Sequence, residues 1–372
     1  MRGVTASAAA TVREALLEIV DLEVHYDTVR GISRAVDGVS LTVNRGEILG
    51  IAGESGCGKS TLAAALLRLV RPPGYVGGGK IHFHIRGQEP VELLSADEAT
   101  LRRVRWRHLS YVPQGSMNSL NPVMRVENQF TDTMRTHSNL DRSEIKARVA
   151  DILRQVGLGP HVARMYPHEL SGGMKQRVVI ALAIALEPEL VIADEPTTAL
   201  DVSVQRMIIQ TLADLRDRMG MTLIIVTHDM AVHAELADRV AVMYAGDIVE
   251  VGDVRQIFQQ PRHPYTQALI HSIPQVGGVR ARLAGIGGNA PTPLAWPPGC
   301  RFHPRCPYAM PICQVDTPER LPLNESTNGA HPNPLVACHL YAESQGHRLP
   351  ASGQRDSGAA SPAAAQPPIS QQ

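Results

Sequence analysis

The sequence lacks a long apolar segment and lacks an excess of charge of either sign. Its longest uninterrupted apolar run, Val178–Leu186, has nine residues, whereas a helix that crosses a bilayer needs about 20. Lysine and arginine (36 residues) balance aspartate and glutamate (36 residues), so the formal net charge is zero. We therefore expect no membrane-spanning helix, and the neutral balance argues against a general nucleic-acid-binding surface.

Cysteine is scarce as well, with five residues in a chain of 372. This number is too small for a disulfide-based scaffold, which excludes the class of small, cross-linked secreted domains. The first residues also lack the cluster of large apolar side chains that forms the core of a secretion signal. These two absences favour a cytosolic protein.

Strand and helix patterns alternate over residues 15–255, and this alternation predicts an α/β domain. Before it we expect a flexible leader (1–14). After it we expect a loop-rich extension (256–341), because eleven of the 27 residues over 285–311 are glycine or proline. The tail (342–372) has few large apolar residues, so we expect it to be disordered.

Periodicity places several elements inside the α/β domain. Ile48–Ala52, 190–193 and 222–226 are short apolar runs typical of buried parallel strands. Helical spacing predicts helices over 59–70, 172–186 and 204–215. One further helix is predicted between positions 114 and 171. It starts at Asp141, with Glu144 three residues later as in a capping box.

The segment Gly53–Ser60 fits the pattern G-x-x-x-x-G-K-[ST] and stands between a predicted strand and a predicted helix. Its glycines allow backbone N–H groups to surround phosphate oxygens, and the helix N-terminus adds a partial positive charge. Lys59 can reach the β- and γ-phosphates, and the Ser60 hydroxyl can bind Mg²⁺. The residues predicted to contact a nucleotide here are Gly53, Ser55, Gly56, Cys57, Gly58, Lys59, Ser60 and Thr61.

The apolar strand over 190–193 ends in Asp194 and Glu195. Such an ending is a weak signal alone, but beside a phosphate loop it is typical of a nucleotide-hydrolysing site. Asp194 is predicted to hold Mg²⁺, and Glu195 to act as the general base toward water.

A second glycine pair follows a serine in Leu170–Arg177, directly before a predicted helix. Ser171, Gly172 and Gly173 would present bare N–H groups at the helix start, which makes a second phosphate-binding position. One chain with two such positions and one acidic strand suggests that the second position serves the nucleotide of another molecule.

With these motifs in this order, the sequence resembles the ATP-binding subunits of ABC transporters over most of residues 15–255. Leu170–Met174 resembles the signature motif of that family, with methionine at a position where glutamine is more usual. Gln114, Asp201 and His228 resemble the Q-loop glutamine, the D-loop aspartate and the switch histidine. Tyr26 resembles the aromatic residue that stacks on adenine.

The resemblance implies a P-loop NTPase fold with a helical subdomain, and two such domains that enclose two ATP molecules head to tail. Ser171 and Gly173 would then face the ATP of the other domain. The residues expected to act on the chain's own ATP and Mg²⁺ are Lys59, Ser60, Gln114, Asp194, Glu195 and His228, with Gln114 joining Ser60 and Asp194 at the metal.

Two further segments, Ser116–Pro122 and Arg262–Leu269, are similar to those of peptide and nickel importer ATPases, as is the cysteine-bearing stretch after Gly299. This narrower resemblance implies a peripheral subunit on the cytoplasmic face of the membrane, with a permease contact at 116–126. The implied partners are a second ATPase subunit, two transmembrane permeases and an extracytoplasmic solute-binding protein, without nucleic acid. Nickel or another small solute, and a soluble non-transport ABC ATPase, remain alternatives to peptide import.

Four cysteines of the extension are separated by five, six and 24 residues: Cys300, Cys306, Cys313 and Cys338. Thiolates that converge in a loop-built region can hold a metal centre, whose binding energy replaces a missing core. Some peptide importer ATPases carry a [4Fe–4S] cluster at such a quartet. We expect this cluster here, with zinc, unliganded thiols or an adventitious disulfide as alternatives.

Overall fold

The structure is a computed structural model that describes residues 14–115, 118–273, 286–323 and 334–342. The predicted leader and tail lie almost entirely outside these residues, and so do positions 116 and 117 of the predicted permease contact. Among the described residues, no helix combines the length and the apolar character needed to span a bilayer.

The strands and helices follow one another in the α/β order that the sequence predicts. The strands are β1 (Ala15–Thr28), β2 (Gly31–Asn44), β3 (Ile48–Ala52), β4 (Gly74–Phe83), β5 (Val91–Glu92), β6 (Leu109–Val112), β7 (Leu190–Asp194), β8 (Thr222–Val226), β9 (Arg239–Tyr244), β10 (Asp247–Asp253), β11 (Arg320–Pro322) and β12 (Leu335–Ala337). The helices are α1 (Lys59–Leu66), α2 (Glu98–Val104), α3 (Val126–His137), α4 (Arg142–Gln155), α5 (Gly172–Ala183), α6 (Val202–Met219), α7 (Met230–Leu236), α8 (Val254–Gln259) and α9 (Pro264–His271).

The strands form two sheets. The smaller sheet is antiparallel in the order β2-β1-β4-β5, and the larger has the order β11-β12-β10-β9-β3-β8-β7-β6. From β9 to β6 the strands of the larger sheet are parallel, so the carboxyl ends of β3, β7 and β8 meet at one edge. The loops that follow these three strands carry the phosphate-loop, acidic and histidine motifs.

Apolar side chains are buried on both sides of the larger sheet. One core lies toward the smaller sheet and α1 and contains Leu49, Ile51 and Leu62. The other lies toward the helices that follow β6 and contains Phe130 and Ile180. All five residues of β3 are buried, as its continuous apolar pattern predicts.

The prediction of a single helix between positions 114 and 171 is wrong, because α3 precedes α4 there. Val126, Phe130 and Met134 recur every four residues and form the buried stripe of α3, a pattern that predicts a helix. The predicted capping box at the start of α4 is confirmed. The Asp141 carboxylate accepts from the Glu144 backbone N–H, and the Glu144 carboxylate accepts from the Asp141 backbone N–H.

Two predicted helices end earlier than expected. α1 ends at Leu66 rather than at position 70, and Arg68 just beyond it has a positive φ of 51°. α5 ends at Ala183 rather than at position 186, and Glu187 has a φ of 52°. A positive φ cannot continue a right-handed helix, so each residue marks a change in chain direction.

The extension is loop-rich over its described residues, as its composition predicts, but it also contributes to the larger sheet. β12 pairs with β10 and β11 pairs with β12, both antiparallel. Ion pairs from Arg301 to Asp37 and from Arg320 to Asp247 fasten it further to the α/β domain. The extension is thus joined to this domain by backbone and side chains, and its predicted boundary at residue 255 stays a prediction.

Candidate nucleotide site

The phosphate loop connects β3 to α1 and requires glycine at two close approaches. A Cβ on Gly53 would lie 2.2 Å from the Met243 carbonyl oxygen, and one on Gly58 would lie 2.1 Å from that of Ala35. Both glycines also have positive φ, at 152° and 111°. β3 therefore turns sharply into α1, and the N–H groups at the start of α1 are available to an anion.

The predicted nucleotide contacts of this loop differ in exposure. Gly53, Cys57 and Lys59 are buried, Gly58 and Thr61 are half-buried, and Ser55, Gly56 and Ser60 are exposed. The Lys59 ammonium donates to the carbonyl oxygens of Gly53 at 2.8 Å and Glu54 at 2.9 Å. Burial raises the pKa of the Cys57 thiol although Lys59 opposes the shift, so Cys57 is a neutral packing group inside the loop.

Asp194 stands next to the start of α1, as a shared Mg²⁺ site requires. The Ser60 hydroxyl donates to its Oδ1 at 3.1 Å and the Tyr111 hydroxyl to its Oδ2 at 3.2 Å. Burial raises the pKa of the Asp194 carboxyl, and the two hydroxyls act in the opposite direction. A bound divalent cation would favour the ionised carboxylate at this position.

Tyr111 is a site residue that sequence reasoning missed. It lies near the end of β6, which pairs in parallel with β7, the strand that carries Asp194. Burial and the neighbouring Asp194 raise the pKa of its phenol, so it remains a neutral donor. The available signal was its place three residues before Gln114.

Gln114 is exposed and lies three residues after Tyr111, whose hydroxyl donates to Asp194. Tyr26 is half-buried in β1, where its ring lies so close to Gly74 that an added Cβ would be 2.6 Å from it. The roles of Gln114 toward the metal and of Tyr26 toward adenine stay predictions.

Glu195 and His228 form a hydrogen-bonded pair at the carboxyl ends of β7 and β8. His228 Nδ1 lies 2.7 Å from Glu195 Oε1, and Thr198 and Thr227 donate to Oε2 at 2.9 Å and 3.2 Å. Burial alone would raise the pKa of Glu195, but the hydrogen bonds from His228 and Thr198 outweigh it and lower the pKa. The carboxylate is therefore ionised and able to accept a proton.

The second glycine segment and Asp201 occupy neighbouring helix starts. Ser171 caps α5 by accepting from the Met174 N–H at 3.3 Å, and Asp201 caps α6 by accepting from the Val204 N–H at 2.9 Å. A Cβ on Gly173 would lie 2.6 Å from Val204 Cγ1, so the two starts are in close contact. Ser171, Gly172 and Asp201 are exposed.

The four cysteines of the extension line one small enclosed cavity of about 10 Å³, together with three histidines and aromatic side chains. The lining includes His263, Cys300, Phe302, His303, Cys306, Tyr308, Cys313, Cys338 and His339. None of these cysteines is in a disulfide. Over the part of the chain that the structure describes, no three or more His, Cys, Asp or Glu side chains have an arrangement suited to a metal ion.

Burial raises the pKa of the Cys300, Cys306 and Cys338 thiols. It raises the pKa of Cys306 to about 11 and that of Cys338 to about 12, and the neighbouring cysteines add to both shifts. The shared cavity shows that tertiary structure brings the predicted quartet together, as four free thiols.

Two protein-family models match this chain, one within the α/β domain and one that covers part of the extension. Residues 36–198 match the ABC transporter family, and residues 249–313 match the oligopeptide/dipeptide transporter C-terminal region. A dipeptide transport ATP-binding protein of Caldanaerobacter subterraneus is 44% identical over 330 residues, which are 88% of this chain and 98% of the relative. The chain belongs to the ABC transporter ATP-binding family.

Other relatives of this ABC ATPase have similar coverage. A dipeptide transport ATP-binding protein of Escherichia coli is 43% identical over 82% of this chain and 92% of its own length. An oligopeptide transport ATP-binding protein of Bacillus subtilis is 39% identical over 88% of this chain and 97% of its own length.

A solved structure agrees with the fold. A dimer of the ATP-binding cassette MJ0796 in a post-hydrolysis state with ADP and phosphate is 28% identical, with a TM-score of 0.56 over 64% of this chain and 99% of that one. The expected P-loop ABC ATPase fold is confirmed. The chain is an ATP-hydrolysing subunit, and ATP and Mg²⁺ are the cofactors expected of an ABC ATPase.

Proposed function

We propose that this ABC ATPase energises the import of dipeptides or oligopeptides, as a peripheral subunit on the cytoplasmic face of the cell membrane. The observation that carries the proposal is the match of residues 249–313 to the oligopeptide/dipeptide transporter C-terminal region. Relatives named for dipeptide and oligopeptide transport, aligned over more than four fifths of this chain, support it.

In this proposal the phosphate loop and the two acidic residues act on the chain's own ATP. Lys59 leaves the carbonyl oxygens of Gly53 and Glu54 to reach the β- and γ-phosphates. Ser60 and Asp194 would hold Mg²⁺, which would neutralise phosphate charge. Glu195 accepts the proton of the attacking water, and His228 orients that water against the γ-phosphate.

The position of Ser171 and Gly173 supports the presence of a second ATPase subunit. They begin α5 on an exposed surface beside the Asp201 cap, where the ATP of another subunit can approach. We propose a head-to-tail dimer with two permeases and a solute-binding protein. Residues 116–126 would contact a permease, with Val123 in this segment 80% exposed.

The proposal is tested by uptake of a labelled dipeptide, a longer peptide and Ni²⁺ in cells that carry either native protein or Lys59→Ala. Lys80→Ala is the matched control, because Lys80 is an exposed lysine in β4. The proposal is supported if the Lys59 variant loses peptide uptake and the Lys80 variant keeps it. Loss of nickel uptake would select the nickel alternative, and unchanged uptake of all three would favour a non-transport ATPase.

We propose in addition that Cys300, Cys306, Cys313 and Cys338 bind a [4Fe–4S] cluster. Four unpaired thiols around one cavity support this. The sequence spacings of these cysteines differ from C-x2-C, which argues against a zinc ribbon. Cluster binding would require the thiols to lose their protons and to move into coordination distance. Iron and sulfide should be lost from a Cys306→Ser variant, and an unchanged content would refute the cluster.

A further inference from the structure

Glu54 places a carboxylate inside the phosphate loop, one residue after Gly53. A negative charge at this position opposes the binding of a polyphosphate unless another group neutralises it. Its main-chain carbonyl accepts from Lys59, so the residue is also part of the loop that Lys59 stabilises. The conformation and charge of Glu54 therefore affect how this loop receives ATP.

Arg305 neutralises this carboxylate from the extension. Its two terminal nitrogens lie 2.9 Å and 3.0 Å from the two Glu54 carboxylate oxygens, which is a bidentate pair. The arginine side chain is 6% exposed and the glutamate side chain 25%, so salt screens the pair weakly.

The Arg305 guanidinium is itself held rigidly. It lies 5.8 Å from the ring centroid of Tyr244 and 6.0 Å from that of Phe302. It also donates to the carbonyl oxygens of Gly287 and Ile286. These contacts fix the guanidinium, so its two terminal nitrogens face the Glu54 carboxylate in one orientation.

Tyr265 holds the same residue by its backbone. The Glu54 N–H donates to the Tyr265 hydroxyl oxygen at 2.8 Å, and Tyr265 is fully buried against Tyr244, with ring centroids 4.5 Å apart. This N–H therefore points toward the C-terminal segment and not toward the phosphate position. The side chain and the backbone N–H of Glu54 are therefore both bound by residues outside the nucleotide motifs.

We propose that Arg305 is a positioning residue for ATP binding, which acts by neutralising Glu54 and holding the phosphate loop in its receptive shape. This gives the C-terminal extension a direct role at the nucleotide site. Arg305 directly precedes Cys306, so the cysteine cavity adjoins this contact along the chain. The proposal rests on ATP hydrolysis by this family and is independent of which solute is imported.

The first test compares Arg305→Gln, Arg305→Lys and Arg301→Gln. Arg301 is the matched control because it also ties the extension to the α/β domain, through Asp37 and the Ala245 carbonyl, and stacks on Trp296. Its bonds do not include Glu54. The readouts are the Kd of a fluorescent ATP analogue for the full chain, and KM and kcat for ATP in the assembled complex.

We expect Arg305→Gln to raise Kd and KM about tenfold, since the loss of one charge-assisted bidentate pair has this order of effect. kcat should stay within about twofold, Arg305→Lys should recover part of the affinity, and Arg301→Gln should change Kd little. Equal increases in Kd for Arg305→Gln and Arg301→Gln would overturn the proposal, since the effect would then be loss of extension docking.

A double-mutant cycle with Glu54→Gln separates positioning from misfolding. Without the carboxylate there is no charge for Arg305 to neutralise, so Arg305→Gln should change Kd much less in the Glu54→Gln background than in the native one. Additive effects would refute an action through Glu54.

Discussion

His228 Nδ1 lies 2.7 Å from Glu195 Oε1, so the two residues predicted to handle the attacking water form a hydrogen-bonded pair. The pair is unequal in exposure, because the Glu195 side chain is 10% exposed and that of His228 is 59% exposed. The histidine can therefore turn toward a γ-phosphate while the carboxylate keeps its bonds to Thr198 and Thr227.

Replacing Glu195 by Gln should lower the rate of ATP hydrolysis by about 10²–10⁴ while ATP binding is retained, because the amide cannot accept the proton of water. The measurement is ATP turnover in the assembled complex, together with the Kd of an ATP analogue. Glu187→Gln, at an exposed position after α5, is the control. Substantial turnover by the Glu195 variant would remove Glu195 from the role of general base.

Replacing His228 by Ala should move the acid limb of the pH–rate profile to higher pH. The native hydrogen bonds from His228 and Thr198 outweigh burial and lower the pKa of Glu195, so the native base stays ionised as pH falls. Without the imidazole, burial dominates and the pKa of Glu195 rises. The profile of kcat/KM measures this shift, and an unmoved acid limb would show that the pair does not set this pKa.

Replacing Tyr111 by Phe should weaken the binding of Mg²⁺, so that hydrolysis needs a higher Mg²⁺ concentration. The phenol donates to Asp194 Oδ2, and without it the pKa of Asp194, already raised by burial, rises further. A higher pKa means that the Asp194 carboxyl is more often protonated, and the protonated acid binds a cation less well. The Mg²⁺ concentration for half-maximal rate should therefore rise about three- to tenfold. Tyr75→Phe is the control, and equal Mg²⁺ dependence in both variants would contradict the role of Tyr111.

Replacing Gly173 by Ala should impair hydrolysis by the assembled dimer about tenfold, because the new Cβ would press on Val204 and displace the start of α5. ATP binding by the single chain should change less than twofold. Adding Val204→Ala removes the obstructing methyl groups and should restore most of the rate. A failure of this rescue would mean that the defect lies elsewhere than in the contact between α5 and α6.

The sequence was sufficient for features that depend on neighbours along the chain. The phosphate loop, the acidic end of β7 and the capping box from Asp141 to Glu144 are set by glycine freedom, apolar runs and local hydrogen bonds. The spacing of Val126, Phe130 and Met134 also predicts the helix α3. Each of these signals occupies a single short segment.

Tertiary structure alone decided the contacts between distant segments. Arg305 and Glu54 are 251 positions apart, and Tyr111 and Asp194 are 83 apart. No local pattern specifies such a pair, because it depends on how parallel strands align their carboxyl ends and on where the extension adds strands to the sheet. The sequence determined which chemical groups this ATPase has, and the packing of its sheets determined which of them bind one another.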